Sequence, residues 1–341
     1  MLKKLTLGTL LFAFGVIAVY AVIRVVGGEE ITDAFFSFTP WGIIPILILT
    51  IINAVISVWR WQLILRQQGH DIKFRALTPI WLAGYAFSYL TPIVYMGGEG
   101  IRAYLLKERH NVDWHVGSAS IFLDKIINGT VVAFIILLSI GVFIFFAGLP
   151  ELTKMILGAI SSFLLFISVL VFIVVRSIRN ESVFYPIVRF FSWERTKLGK
   201  FLIKFEKELQ DFLSLRSRAM WEALGWTALK HVLVWTRNLL LIFFLGQGFQ
   251  FGGSVVALGI TYIAYAMPVP GALGVQEIMQ SLLFSQFGWG AERGAAFSFI
   301  FRGAELFVVA FGVIIILRMA TILIAWRLYG GINGNHTKPK I

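Results

Sequence analysis

The chain has 341 residues, of which 58% are hydrophobic and 14% are charged, and its mean hydropathy is +0.82. A soluble domain carries about 25% charged residues, so this composition excludes an ordinary soluble protein and predicts an all-α polytopic membrane protein. The net charge of +12 and the absence of cysteine indicate basic cytoplasmic loops rather than nucleic-acid binding, and exclude disulfides and thiol chemistry.

Apolar stretches predict membrane spans over about residues 5–26, 41–65, 116–147, 155–175, 221–245 and 295–328. Basic loops should be cytoplasmic, which places the N-terminus, residues 66–75, 102–109 and 176–218 on that side of the cytoplasmic membrane. We expect the glycine-rich turns at 27–30, 148–150 and 246–253 to be external. We treat residues 1–341 as one integral membrane domain that ends in a polar tail, 330–341.

Two further apolar stretches are interrupted by proline and glycine, and each interruption is followed by a glutamate. The interrupting residues are Pro92, Gly97 and Gly98 in the first stretch, and Pro268, Pro270, Gly271 and Gly274 in the second. Glu99 follows Pro92 by 7 positions (99 − 92 = 7), and Glu277 follows Pro270 by 7 (277 − 270 = 7). Irregular backbone beside a charge is tolerated in a membrane only within protein or a wet cavity. Each stretch is predicted to form either a re-entrant hairpin or two short spans.

One sequence offset relates the two halves of the chain. Pro92 and Pro270 differ by 178 positions (270 − 92), as do Glu99 and Glu277 (277 − 99) and also Asp124 and Arg302 (302 − 124). The basic loops place the two broken stretches on opposite membrane faces. The sequence therefore predicts an inverted repeat of span, re-entrant hairpin and span, with additional transmembrane helices.

Residues 176–220 form a basic, cytoplasmic, amphipathic segment. Apolar residues recur at helical spacing from Leu198 to Leu213, whereas Lys200, Lys204 and Lys207 occupy other faces. Two placements remain open from the pattern: a helix on the membrane surface, or a helix packed against the underside of the protein.

The charged residues at the breaks are the first candidates for a substrate-binding site. Glu99 and Arg102 lie three positions apart at the start of a helix, where free N–H groups suit a phosphate. They form either a polar site for a lipid headgroup or an ordinary loop with a helix-capping glutamate. Glu277 has no base nearby in sequence, so it must be paired, protonated or wet.

Three more candidates interrupt the later helix of each half. Asp124 forms either an interfacial pair with Lys125 or an inward-facing group. Arg302 and Glu305 pair with each other, or Arg302 holds a lipid phosphate or neutralises Glu277 or Glu99. Arg60, between two tryptophans, is predicted to be an interfacial anchor.

These motifs resemble those of the lysylphosphatidylglycerol synthase transmembrane-region family, whose flippase-like members are related to the membrane half of the multiple peptide resistance factor. The resemblance is carried by Gly98-Glu99 with Arg102, by Leu123-Asp124, by Pro268-x-Pro270-Gly-x-x-Gly-x-x-Glu277 and by Arg302. It implies movement of membrane lipids between leaflets: anionic or aminoacylated phospholipids, or polyprenyl-linked lipids. The chain lacks the soluble transferase domain of fused members, and Tyr95-Met96-Gly97 stand where the family often has an arginine.

Two functions of different classes follow as expectations. The first is a lipid translocator in which two broken hairpins form a polar path for a headgroup. The second is a membrane partner that presents a lipid carrier to a glycosyltransferase or another cytoplasmic enzyme of envelope biosynthesis. We expect no catalysis by this chain alone, and no metal or cofactor, because the sequence shows no nucleophile–base pair and no metal-ligand spacing.

Overall fold

We describe a computed structural model of the chain, which covers residues 17, 19–91, 97–147, 179, 181–182, 185–190, 193, 196–214 and 217–330. Several predictions fall outside the described residues. They are Pro92, the turn at 148–150, the span at 155–175, most of the first span and the tail after residue 330.

Every regular element within the described ranges is helical. A helical stretch over residues 19–26 precedes eleven helices, which we number in chain order: α1 Gly28–Phe36, α2 Ile43–Gln67, α3 Phe74–Leu90, α4 Glu99–His110, α5 Trp114–Ala147, α6 Tyr185–Phe190, α7 Lys197–Phe212, α8 Arg218–Ile242, α9 Phe251–Ala266, α10 Val275–Gln286 and α11 Ala291–Gly330.

Four of these helical segments are long and apolar enough to cross a bilayer. They span Pro40–Gln67, Trp114–Phe145, Arg218–Gln247 and Ala291–Met319. This confirms the prediction of an all-α polytopic membrane protein. The two interrupted stretches form pairs of shorter helices, α3–α4 and α9–α10, because their prolines and glycines end one helix and start the next.

The two halves of the helical core share one element order and pack reciprocally. Each half runs through a long helix, a broken pair and another long helix: α2, α3–α4, α5 and then α8, α9–α10, α11. The two leading helices, α2 and α8, pack on each other. Helix α3 packs on the last helix of the other half, and α9 does the same. The opposite membrane orientation of the halves stays a prediction.

Small residues permit the close packing between halves. Gly312 of α11 lies so near the carbonyl of Leu82 in α3 that a Cβ would overlap it. In the other half, Gly259 of α9 is equally close to Ser139 of α5. Close approach through glycine is the usual way in which membrane helices gain packing contacts.

The amphipathic helix predicted near residue 200 is α7. Its apolar side buries Phe205, Leu209 and Phe212 in a cluster with Leu123 and Ile126 of α5. Thr196 caps the helix, since its hydroxyl accepts a hydrogen bond from the N–H of Gly199 at 3.0 Å. The apolar face of α7 therefore packs against the protein itself, which is the second of the two placements left open by the sequence.

Candidate functional site

The first break brings Glu99 and Arg102 against the long helices of the first half. The N–H of Gly98 donates to the hydroxyl of Ser88 at 2.9 Å, and a Cβ on Gly98 would overlap the backbone of Gly84. Only glycine permits this approach of α4 to α3. It fixes the first turn of α4, which carries Glu99 and Arg102.

Asp124 lies at the centre of the charged residues at this break. Arg60 of α2 binds it through Nε at 2.8 Å and Nη2 at 2.7 Å. Arg102 reaches the other carboxylate oxygen with Nη1 at 3.3 Å and Nη2 at 3.4 Å, and stacks on the ring of Trp61. The three charged residues are 2–6% exposed. One buried carboxylate is thus shared by two guanidinium groups.

Two further bases border this group. Lys125 pairs with Glu99 at 2.6 Å, and both side chains are about one-third exposed. Lys230 of α8 donates to Asn128 Oδ1 at 3.1 Å. We call the six residues the first charge cluster: Arg60, Glu99, Arg102, Asp124, Lys125 and Lys230.

The second break is held by a closed pair of Glu277 and Arg302. Arg302 donates to Glu277 Oε1 from Nη2 at 2.6 Å and from Nε at 3.0 Å. Its remaining donors bind the carbonyl of Gly271 at 2.5 Å and that of Ala272 at 3.3 Å. The other oxygen of Glu277 accepts from the N–H of Gly274 at 2.8 Å and caps α10.

The chain can turn at this break because of its glycines. Gly271 and Gly274 adopt φ of +53° and +79°, the left-handed region that glycine enters without strain. Pro268 follows the end of α9, and Pro270 starts the short 3₁₀ turn Pro270–Ala272. Arg302 therefore fastens an irregular segment whose carbonyls would otherwise lack donors inside the membrane protein.

A third pair, with its hydrogen-bond partners, joins four helices. Arg237 of α8 donates to Glu305 at 2.7 Å and to Thr50 of α2 at 2.8 Å. Tyr85 of α3 donates to the other oxygen of Glu305. Arg237 also stacks on Phe301 at 4.1 Å. The pair therefore links helices of both halves of the core.

The helix that leads into the first break contacts the second break. Tyr89, in the last turn of α3, lies against Gly271, where an added Cβ would be 2.9 Å from the tyrosine ring and 3.3 Å from Arg302 Nη1. Helix α3 also packs on the turn Pro270–Ala272. The last turn of α3, which precedes the first break, thus touches the turn at the centre of the second break.

The structure places the predicted site residues in three groups. Glu99, Arg102 and Asp124 come together at the first break, and Glu277 and Arg302 at the second. Glu305 stands apart with Arg237, so mutual pairing of Arg302 and Glu305 was the wrong alternative. Arg302 and Glu305 lie one turn apart on α11, but Arg302 pairs with Glu277 of α10 and Glu305 pairs with Arg237 of α8.

Sequence reasoning missed the role of Arg60. It was predicted to anchor the protein at the membrane interface, but it is buried and binds Asp124, so that prediction is wrong. Its neighbour Trp61 is fully buried as well. The available signal was helical spacing: Arg60 follows Asn53 and Ser57, both buried, on one face of α2.

The described residues contain no group of three histidine, aspartate or glutamate side chains that could hold a metal ion. What the arrangement offers chemically is charge: cationic groups capable of binding phosphate or carboxylate, and carboxylates that balance them.

Comparison with known proteins gives a family. The profile described as the lysylphosphatidylglycerol synthase TM region matches residues 6–331. A UPF0104 membrane protein of Methanocaldococcus jannaschii is 21% identical over 309 residues, which cover 88% of this chain and 90% of that protein. A UPF0104 membrane protein of Methanothermobacter thermautotrophicus is 30% identical over 140 residues, 41% of each chain. No solved structure matches the chain. The match over nearly the whole sequence shows that the chain belongs to the lysylphosphatidylglycerol synthase transmembrane-region family.

Proposed function

We propose that this protein is a lipid translocator of the cytoplasmic membrane, which moves a phospholipid or a lipid-linked headgroup between leaflets. The observation that carries the proposal is the placement of buried charges at two broken stretches that touch each other. Arg102 and Asp124 lie beside the first break and Glu277 and Arg302 at the second, and the described part of the chain has four helices able to span a membrane.

Charged side chains inside a membrane are energetically costly, and this cost makes their position informative about function. Ionisable side chains in membrane helices pair with one another or face a cavity, and they mark substrate pathways. Broken helices at corresponding points of two halves mark the binding site in many transporters. A headgroup would pass along the charged residues, while its acyl or prenyl tails stay in lipid.

The first charge cluster is the natural entry to such a path. Glu99 and Lys125 are partly exposed, whereas Arg102 and Asp124 behind them are buried. A headgroup that replaces Glu99 as the partner of Lys125 would reach Arg102 next. Arginine suits phosphate because its planar guanidinium donates two parallel hydrogen bonds.

The test is lipid movement in proteoliposomes that contain only this protein. The assay would follow fluorescently labelled phosphatidylglycerol, its lysyl derivative and a polyprenyl phosphate, each in a separate preparation. We expect Glu99→Gln to slow the transported lipid by about tenfold, because Glu99 no longer competes for Lys125 and the headgroup is held at the entry by ~1.4 kcal/mol more. Glu222→Gln is the matched control, because it neutralises a carboxylate in an exposed pair with Arg218.

Two results would refute the proposal. One is the failure of folded wild-type protein to move any of these lipids. The other is unchanged movement in a Glu99→Gln variant with wild-type helical content. We further propose that the chain performs no chemical step on the lipid, so the transported molecule should be recovered unchanged.

A second candidate function is presentation of a lipid carrier to a cytoplasmic enzyme of envelope biosynthesis. It is favoured by the exposed lysines of α7: Lys200, Lys204 and Lys207 project to solvent while Phe205 and Leu209 face the protein. Reversing these three lysines to glutamate should abolish co-purification of such an enzyme without slowing lipid movement. Slower lipid movement in that variant would assign α7 to transport instead.

A further inference from the structure

The first charge cluster carries more positive than negative charge. Its four bases and two acids, as the structure describes them, give 4 − 2 = +2. The other two groups are balanced, since Glu277 pairs with Arg302 and Glu305 with Arg237. Of these three groups in the described part of the chain, the first break is therefore the one with surplus positive charge.

The bonding of the bases shows where this surplus lies. Arg60 Nη1 and Lys230 Nζ both donate to the one neutral oxygen of Asn128, at 3.3 and 3.1 Å. Arg102 makes only long contacts with Asp124, and its buried Nε has no hydrogen-bond partner in the described part of the protein. Arg60 and Arg102 thus share the single carboxylate of Asp124, and Arg60 and Lys230 share one neutral oxygen.

Arg302 provides the contrast within the same molecule. It donates to a carboxylate through two nitrogens and to two carbonyls, at 2.5–3.3 Å. It has no donating nitrogen left for a ligand. The second break is therefore closed on itself, whereas the first retains unused donors and unbalanced charge.

Within the described residues, Asp124 and Glu99 are the carboxylates that pair with the bases of this cluster. In sequence, residues 92–96 are Pro, Ile, Val, Tyr and Met, and none of these side chains is negatively charged at neutral pH. Glu305, another carboxylate whose charge acts on Lys230, is already bound by Arg237 and Tyr85. Buried cations without counter-charge are strongly unfavourable, so an anionic ligand would be stabilised there.

We infer that the first charge cluster binds a phosphate group with about two negative charges: a phosphomonoester or a diphosphate. This inference rests on the proposed function and names the substrate class. A phosphodiester such as phosphatidylglycerol carries one negative charge, and an aminoacylated derivative is cationic overall. A phosphomonoester carries about −1.5 to −2 at neutral pH, which matches the surplus of the cluster. Arg102, whose Nε has no partner among the described residues, would donate to its oxygens, and Lys230 would add a point charge.

The inference is tested by binding, which does not depend on transport. The full-length protein is placed in phosphatidylcholine nanodiscs with a fluorescent phosphatidic acid, a phosphomonoester lipid. Unlabelled phosphatidic acid, phosphatidylglycerol, lysyl-phosphatidylglycerol and inorganic phosphate are then used as competitors. We expect phosphatidic acid to compete at least about tenfold better than phosphatidylglycerol, as one more partly desolvated charge contact implies, with the lysyl lipid weakest.

Variants at Lys230 assign the preference to the cluster. Lys230→Gln should reduce the preference to below about threefold, because the surplus falls to +1, and Lys230→Arg should retain it. Arg218→Gln is the control: it removes a base from the same helix, α8, but from a side chain that is 93% exposed.

Each outcome has one meaning. Equal competition by phosphatidylglycerol, stronger competition by the lysyl lipid, or an unchanged preference in Lys230→Gln would overturn the inference. Inorganic phosphate that competes as well as the lipid would show that the cluster takes free phosphate rather than a lipid headgroup. Selective binding without lipid movement would refute translocation but leave the charge selectivity standing.

Discussion

Replacement of Glu277 by glutamine tests whether the Glu277–Arg302 pair holds the second break. Glutamine keeps the size of the side chain and can still accept from the N–H of Gly274, so the cap of α10 is retained. The charge is lost, and the oxygen that accepts from Arg302 is replaced by an amide NH2. Arg302, which is 8% exposed, is then left as a buried cation whose remaining acceptors are the carbonyls of Gly271 and Ala272.

The expected loss follows from the geometry. Opposite charges about 3 Å apart attract by roughly 5–6 kcal/mol at an effective dielectric constant of about 20, and the desolvation of both ions offsets part of this. Removing one partner of a buried pair costs about 3–5 kcal/mol, because the other charge stays buried. We therefore expect Glu277→Gln to lower the free energy of unfolding by about 3–5 kcal/mol.

The double variant Glu277→Gln/Arg302→Met separates charge from packing. It removes both charges, so we expect it to be about 2 kcal/mol more stable than additivity of the two single variants requires. Stability would be measured by chemical unfolding in detergent micelles, followed by far-UV circular dichroism. The exposed pair Arg218–Glu222 serves as control, and its disruption should cost less than about 1 kcal/mol. A loss below about 1 kcal/mol in Glu277→Gln, or strict additivity in the double variant, would refute the reasoning.

Two further predictions concern the breaks. Gly98→Ala should lower the free energy of unfolding in the same assay by about 3 kcal/mol or more, because its Cβ would overlap the backbone of Gly84. Gly100→Ala in the same turn is the control and should be neutral or mildly stabilising, since nothing lies within 4 Å of its Cβ. Equal effects of the two substitutions would contradict this packing. In a chain that lacks cysteine, Gln247→Cys and Ser285→Cys should both react with an impermeant maleimide from outside, and Lys73→Cys only after permeabilisation. Labelling of the first two from opposite sides would show that α9 and α10 together cross the membrane once, which would rule out the inverted repeat.

The arrangement of helices was largely predictable because apolar length and helix-breaking residues act locally. Predicted spans at 41–65, 116–147, 221–245 and 295–328 correspond to α2, α5, α8 and α11 within a few residues at each end. Each broken pair follows from the inability of proline and glycine to continue a helix. The family motifs added the expectation that the two breaks together form one polar path.

The partners of the charged residues were much less predictable, because pairing depends on which helix faces which. Glu277 had no base nearby in sequence, and its partner Arg302 lies 25 positions further on. Arg60 reaches Asp124 across 64 positions, and its flanking tryptophans suggested a place at the interface instead. Sequence spacing places residues on one face of a helix, as for Glu99 and Arg102, but does not predict their contacts with other helices, here with Lys125 and Asp124.

Equivalent positions in the two halves carry opposite charges, and this difference suggests that the two breaks have different roles. Asp124 and Arg302 are related by the offset of 178, yet one attracts bases and the other attracts a carboxylate. The position equivalent to Arg60 is Asn238 (60 + 178 = 238), which is buried and uncharged. The second half therefore completes its ion pair within the break and gains rigidity. The first break draws in Arg60 from its own half and Lys230 from the other, and keeps a surplus of cations. The closed second break would then support the path while the first break binds the anion, and charge selectivity measured at Lys230 would report on the first break.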